Sequence, residues 1–154
     1  MAAFKGNEMA FTTKPTRITG TLFFAQHLTT PNTKFNPAET KLECTIGQIP
    51  QEQADNLMKE QGVKIKRKKE DTYNMGNFIT AKTIKTFKIF DNEGNAIDPK
   101  IVGSGTKVTA LVSSYEHRMS AMYGPAPSIV KLFVTDLVKY DPTAVVADEA
   151  DDIL

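Results

Sequence analysis

The densest chemistry in the sequence is a run of cations. Lys64-Ile65-Lys66-Arg67-Lys68-Lys69 holds five positive charges in six residues. Downstream, Lys82, Lys85 and Lys88 recur at a spacing of three, among Phe78, Phe87 and Phe90. Tyr73, Tyr115, Arg118 and Tyr123 add rings and a guanidinium near loop sequences. Single-stranded nucleic acid asks for this mixture. Cations track its phosphates, and bases stack on aromatic faces at about 1–3 kcal/mol each. Lysines also protect exposed strand edges from aggregation, so a solvated edge is the plainer reading of the run alone. The interleaved rings favour the first reading. Not all of those rings can serve, because residues at odd spacing on a strand face opposite ways. Phe87 and Phe90 therefore cannot share a face, and one of them belongs to a core. Phe23 and Phe24 divide in the same way. Phe133, between Leu132 and Val134, is expected to be buried or half-buried.

Catalytic chemistry finds little support, and the chain is not expected to be an enzyme. There is no Gly-x-Ser-x-Gly elbow, phosphate-binding P-loop or dinucleotide glycine fingerprint. Gly103-Ser104-Gly105-Thr106-Lys107 lacks the P-loop spacing and reads as a tight turn into a strand. His117 beside Glu116 is a weak acid/base pair, and an exposed histidine is its simpler explanation. Cys44 alternates with Leu42 and Ile46, as an inert core thiol would. With one cysteine and two histidines, an internal disulfide is impossible, and neither a metal site nor another cofactor is expected.

The elements that must carry these residues read mostly as strands. Thr16 to Leu28 suits a long first strand, bent near Gly20. Lys41 to Ile46 alternates polar and apolar, like a half-buried strand. Pro50 then opens one helix, Gln51, Glu52 and Asp55 suit its N-terminal end, and Gly62 ends it. Ala54, Leu57, Met58 and Gln61 fall near one of its faces. Val63 to Lys69 alternates again, with Val63, Ile65 and Arg67 against Lys64, Lys66 and Lys68. Phe78–Thr83, Thr86–Phe90, Thr106–Tyr115 and Ile129–Tyr140 are further strands. Turns fall at Asp91-Asn92-Glu93-Gly94-Asn95 and Gly103-Ser104-Gly105, and a loop at Gly124-Pro125-Ala126-Pro127. About seven short strands and one mid-chain helix predict a mainly β protein. The best fit is an OB-type five-stranded Greek-key barrel with extra hairpin strands.

The chain has 154 residues, 40% of them hydrophobic and 24% charged, ordinary values for a globular domain. No apolar run approaches the ~20 residues of a membrane span, and the first residues lack the apolar core of a signal peptide. The formal net charge is only +1. That figure hides a division. Residues 1–140 hold all 19 basic and 13 acidic residues, a net +6. Residues 141–154 hold no basic residue and five acids, Asp141, Asp148, Glu149, Asp151 and Asp152, before an apolar Ile153-Leu154 end. Two segments are expected: a nucleic-acid-binding domain over 1–140 and a flexible acidic tail over 141–154.

Three motifs carry a family resemblance. They are the hairpin Phe87-Lys88-Ile89-Phe90-Asp91-Asn92-Glu93-Gly94-Asn95-Ala96-Ile97, the strand lead-in Ile101-Val102-Gly103-Ser104-Gly105-Thr106-Lys107-Val108, and the acidic tail with an apolar terminus. Over residues 15–154 the plan resembles the phage-encoded single-stranded DNA-binding proteins of the podovirus type. The resemblance implies an OB-fold that coats single-stranded DNA in replication, recombination and repair, in the cytoplasm of an infected bacterium. It implies a tail, here Asp148, Glu149, Asp151, Asp152, Ile153 and Leu154, that contacts the phage polymerase and other replication proteins. It also implies a dimer. The tail is shorter and less acidic than in some relatives, and does not end in Phe. The residues expected on DNA are Lys64, Lys66, Arg67, Lys68, Lys69, Tyr73, Phe78, Lys82, Lys85, Phe87, Lys88, Tyr115, Arg118 and Tyr123. Two other classes fit the residues: an RNA-binding OB protein, and a protein-interaction module whose lysines are only solvated surface.

Overall fold

The computed structural model describes residues 14–34, 37–115 and 125–139. Within them lie six strands and one α-helix: β1 (Thr16–Phe23), β2 (Leu42–Gly47), α1 (Gln51–Gln61), β3 (Ile79–Thr83), β4 (Ile89–Phe90), β5 (Lys107–Tyr115) and β6 (Ala126–Asp136). The strands form one sheet in the order β3-β2-β1-β5-β6-β4.

β1 joins the two halves. Its Thr16–Thr21 stretch pairs antiparallel with β5, and its Thr21–Phe23 end pairs with β2. Gly20 sits where the strand passes between partners. A Cβ there would lie 2.5 Å from the Gly47 carbonyl oxygen and 2.6 Å from the Ile46 side chain. Only glycine lets the backbones approach so closely. β3 packs back against β6, which curls the sheet toward closure, and β4 runs parallel to β6. A β1-β2-β3 meander, a β5–β6 hairpin and one parallel pairing make an OB-like barrel.

The alternation of each strand sends one set of side chains inward. Ile18, Leu22, Cys44, Ile46, Ile79, Val108, Ala110, Leu132 and Val134 form the core with Ala54 and Leu57 of α1. Fully burying a Leu or Ile side chain contributes about 1.5–3 kcal/mol, so this cluster supplies the main driving force for closure. α1 runs as its sequence predicts. Gly62 closes it in the left-handed region (φ 71°), its N–H donating to the Met58 carbonyl at 2.9 Å. Met58 departs from the expected inner face and is exposed. Buried Gln61 ties the helix down: its Nε2 donates to the Lys14 carbonyl (2.6 Å), and its Oε1 accepts from the Ser114 hydroxyl (3.1 Å).

Several boundaries differ from the sequence reading, among them the last strand, which ends at Asp136 and not at Tyr140. The first strand ends at Phe23, because Phe24 turns left-handed (φ 55°) and Ala25–Leu28 forms a 3-10 helix. His27 therefore lies in that helix, buried, its Nδ1 3.0 Å from the Thr30 carbonyl oxygen. Val63–Lys69 is not a strand but an extended segment with one bridge, Lys66 to Phe78. Thr86–Phe90 shortens to the two residues of β4. Ala126 and Pro127, expected in a loop, already pair with Tyr115 and Ser114. Pro127 is tolerated there because β6 meets β5 by alternating exchange, and a proline at a strand's start forfeits little. Tyr140, His117, Glu116 and residues 141–154 lie outside the described residues.

Candidate nucleic-acid interface

Lys66 is fixed by its bridge. Its N–H donates to the Phe78 carbonyl, and its carbonyl accepts from the Phe78 N–H, both at 2.9 Å. This one pairing makes the extended segment alternate like a strand. Val63 is buried and Ile65 packs on the core, while Lys64 and Lys66 stand exposed. The two lysines face a groove of about 620 Å³ between the β2–β3 surface and the base of the β5–β6 hairpin. Lys41 and Lys82 enter it from β2's approach and β3. Tyr115, Pro125 and Pro127 form its far side, and Val63 and Ile79 give it an apolar floor. Tyr115 ends β5 opposite Ala126, with 42% of its surface exposed. Four cations, one exposed ring and an apolar floor can hold phosphates and a stacked base together.

Acids temper the groove. Lys82 Nζ lies 3.7 Å from Glu43 Oε2, its cross-strand partner, and 3.9 Å from Glu39 Oε1. The Lys41 N–H, donating at 3.1 Å, holds the Glu39 carboxyl below its ordinary value; burial opposes this, and Lys82 and the Thr40 N–H add to it. Glu39 and Glu43 thus share Lys82 with any incoming phosphate.

A second cluster stands at the end of β1. The Phe24 and Tyr73 rings meet edge to face, with centroids 6.1 Å apart. Lys68 Nζ lies 5.9 Å from each centroid. Such cation–ring contacts contribute about 0.5–1 kcal/mol at exposed sites. The loop that carries Tyr73 is gathered by Asp71, which accepts the Met75 and Gly76 N–H groups, each at 2.7 Å. Those two bonds, Gly76's first, hold the Asp71 carboxyl below its ordinary value, with Lys68 and Arg67 adding in the same sense.

The remaining expected residues divide clearly. Phe87 is 6% exposed within the core cluster, so it is the core member of its pair and offers no stacking face. Phe78 is half-buried in the Lys66 bridge. Arg67 is turned aside, its Nη1 donating to Asn77 Oδ1 at 3.2 Å. Lys69, Lys85 and Lys88 are exposed but do not line the groove. Arg118, Tyr123, Asp148, Glu149, Asp151, Asp152, Ile153 and Leu154 lie outside the described residues. Sequence reasoning missed Lys41 and Phe24. Lys41 sits alone in sequence, and only the β2–β3 pairing brings it to the groove. Phe24 gave a signal in the Phe23-Phe24 pair, but its left-handed turn was not legible. Among the described residues, no group of three or more His, Cys, Asp or Glu side chains could hold a metal ion. Nor is any helix among them long and apolar enough to cross a membrane.

With this geometry, the chain can be set beside known proteins. No protein-family model matches it, and no curated protein matches it by sequence. Solved structures do match. One is the single-stranded DNA-binding protein from bacteriophage Enc34 in complex with ssDNA, with a TM-score of 0.51 at 11% identity, covering 79% of this chain and 86% of that one. The likeness is one of fold. Two further structures of the Enc34 protein align more loosely. Its C-terminal truncation gives a TM-score of 0.49 at 16% identity, over 82% of this chain and 89% of that one. Another structure of the Enc34 protein gives 0.47 at 12%, over 89% and 90%.

Proposed function

We propose that the chain is a single-stranded DNA-binding protein of the podovirus type. It coats and protects single strands during phage DNA replication, recombination and repair in the host cytoplasm. The observation that carries this reading is the groove: Lys41, Lys64, Lys66 and Lys82 gathered beside the exposed Tyr115 ring. It lies on the β2–β3 surface and the last hairpin, the part of an OB barrel suited to oligonucleotides. The fold's likeness to a phage protein solved in complex with ssDNA supports the same reading. Phosphates lie along the lysines, bases stack on Tyr115 and on the Tyr73–Phe24 pair, and no base edge is read. Binding is therefore tolerant of sequence.

The acidic tail extends the proposal. It competes with DNA for the basic groove, and on release recruits the phage polymerase and other replication proteins; the chain works as a dimer. A titration with single-stranded and double-stranded DNA, and with RNA of equal length, tests the core of this. Preference for single-stranded DNA supports it. Equal or tighter binding of RNA points to an RNA-binding OB protein instead. No binding to any strand at low salt leaves a protein-interaction module.

A further inference from the structure

The sheet carries a second meeting of rings and cations, away from the lysine groove. Ile18, Val108, Ala110, Leu132 and Val134 point into the core. Their neighbours therefore form rows on the opposite face. One row runs Arg17, Leu111, Lys131 across β1, β5 and β6. The next runs Thr109, Phe133, Phe90 across β5, β6 and β4. The Phe90 and Phe133 rings lie 6.0 Å apart, tilted by 36°, and Lys131 Nζ stands 5.8 Å from the Phe90 centroid. Both rings are half-buried, so each keeps an accessible face. A cavity of about 330 Å³ opens beside them, lined by Arg17, Asn92, Thr109, Leu111, Phe133 and Thr135. Among the described residues, no carboxylate lines it. Among the described residues, neither Arg17 nor Lys131 is within ion-pair distance of one, in contrast to Lys82 of the groove.

We propose that this face is a second binding site for single-stranded nucleic acid. It takes bases on Phe133 and Phe90 and phosphates on Arg17 and Lys131. Two cations without an ion-pair partner among the described residues, flanking rings and threonine hydroxyls, complement a phosphodiester with an exposed base. The proposal rests on the groove being the first site. The two are separate places on one strand pair: Tyr115 stands six residues from Thr109 along β5, about 20 Å at ~3.4 Å per residue. A long strand leaving the groove reaches the second face, whereas a short one fills the groove alone.

The test uses the full chain, a double variant Arg17→Glu/Lys131→Glu, and a groove variant Lys64→Glu/Lys66→Glu. Each is titrated with oligothymidylates of about 8 and about 30 nucleotides, spanning the site sizes usual for OB-folds. The Arg17→Glu/Lys131→Glu chain should bind the short strand within twofold of wild type. It should bind the long strand about tenfold more weakly, with a salt slope shallower by about 1.4, the share of two phosphates. Photocrosslinking the wild-type chain to bromodeoxyuridine-substituted strands gives an independent readout. An adduct on the tryptic peptide 132–139, which holds Phe133, should form with the long strand only. Unchanged long-strand affinity with no such adduct overturns the second site. Equal losses at both lengths overturn it too, since the face would then belong to a single site. In either case short-strand binding that remains sensitive to Lys64→Glu/Lys66→Glu leaves the groove standing. A wild-type chain that binds neither strand overturns both.

Discussion

Tyr115 is the residue on which the groove depends most. Among the described residues it is the one ring lining the groove, and its exposure means that it contributes little to the core. Base stacking on such a ring contributes about 1–3 kcal/mol, so Tyr115→Ala should weaken single-strand binding at least about fivefold while leaving the thermal midpoint unchanged. Tyr115→Phe keeps the face and should bind like wild type. A Tyr115→Ala chain with wild-type affinity would remove stacking from the groove. Lys82 gives the opposite expectation. Its charge is divided between Glu39 and Glu43, so the double variant Glu39→Gln/Glu43→Gln should bind tighter. Its salt slope should steepen by about 0.7, one further phosphate. The same titration series reads both changes. Cys44 reports on the fold instead. Burial pushes its thiol up to about 12, and the thiolate is the reactive form. Iodoacetamide at pH 8 should leave the native chain unlabelled and label it in urea. Rapid labelling of the native chain would place Cys44 outside the core.

At the scale of elements, alternation was the reliable signal and backbone turns were not. The core faces of β2, β3, β5 and β6, the helix Gln51–Gln61 and its Gly62 terminus all followed from apolar spacing and capping chemistry. The lysine run was legible as half of an interface, since Val63 and Ile65 inward force Lys64 and Lys66 outward. Its partner Lys41 was not, because a single cation gains meaning only from the β2–β3 register. Positive φ at Phe24 and Gln48 left no trace in sequence, since such residues adopt it only under tertiary constraint. That is why the first strand was read five residues too long. The Asp71 loop shows such a constraint. Asp71 accepts two backbone N–H groups more strongly when ionised, so its depressed carboxyl stabilises the loop above the unfolded carboxylate value, near ~3.9. That contribution falls away as the pH drops through the lower, folded value. Hydrogen exchange at the Met75 and Gly76 amides should therefore quicken in acid. Asp71→Asn should lose this protection already at pH 7 and weaken the hold on Tyr73. Amides equally protected in both chains at pH 7 would show the loop held by something else.

At the scale of the whole molecule, charge is what the residues and elements leave unexplained. A +6 body and a −5 tail sum to a near-neutral chain that by its total alone would not be expected to seek DNA. The 14 residues of the tail extend to at most about 46 Å. A 140-residue body has a radius of gyration near ~14 Å, so the groove lies within that reach. If the tail occupies the lysines, binding DNA means displacing five negative charges before gaining any phosphate. A chain ending at Tyr140 should then bind single strands several-fold tighter at about 50 mM salt. The advantage should shrink by about 300 mM, because screening lengths fall below ~10 Å and weaken a loosely held tail first. The shortened chain should also show the steeper salt dependence, near a slope of about −3.5 if five phosphates are neutralised. In the full chain the tail takes up part of the same salt response, and the slope flattens. Equal affinities for the two chains at low salt would separate the tail from the groove altogether, and leave the groove's four lysines to act against DNA alone.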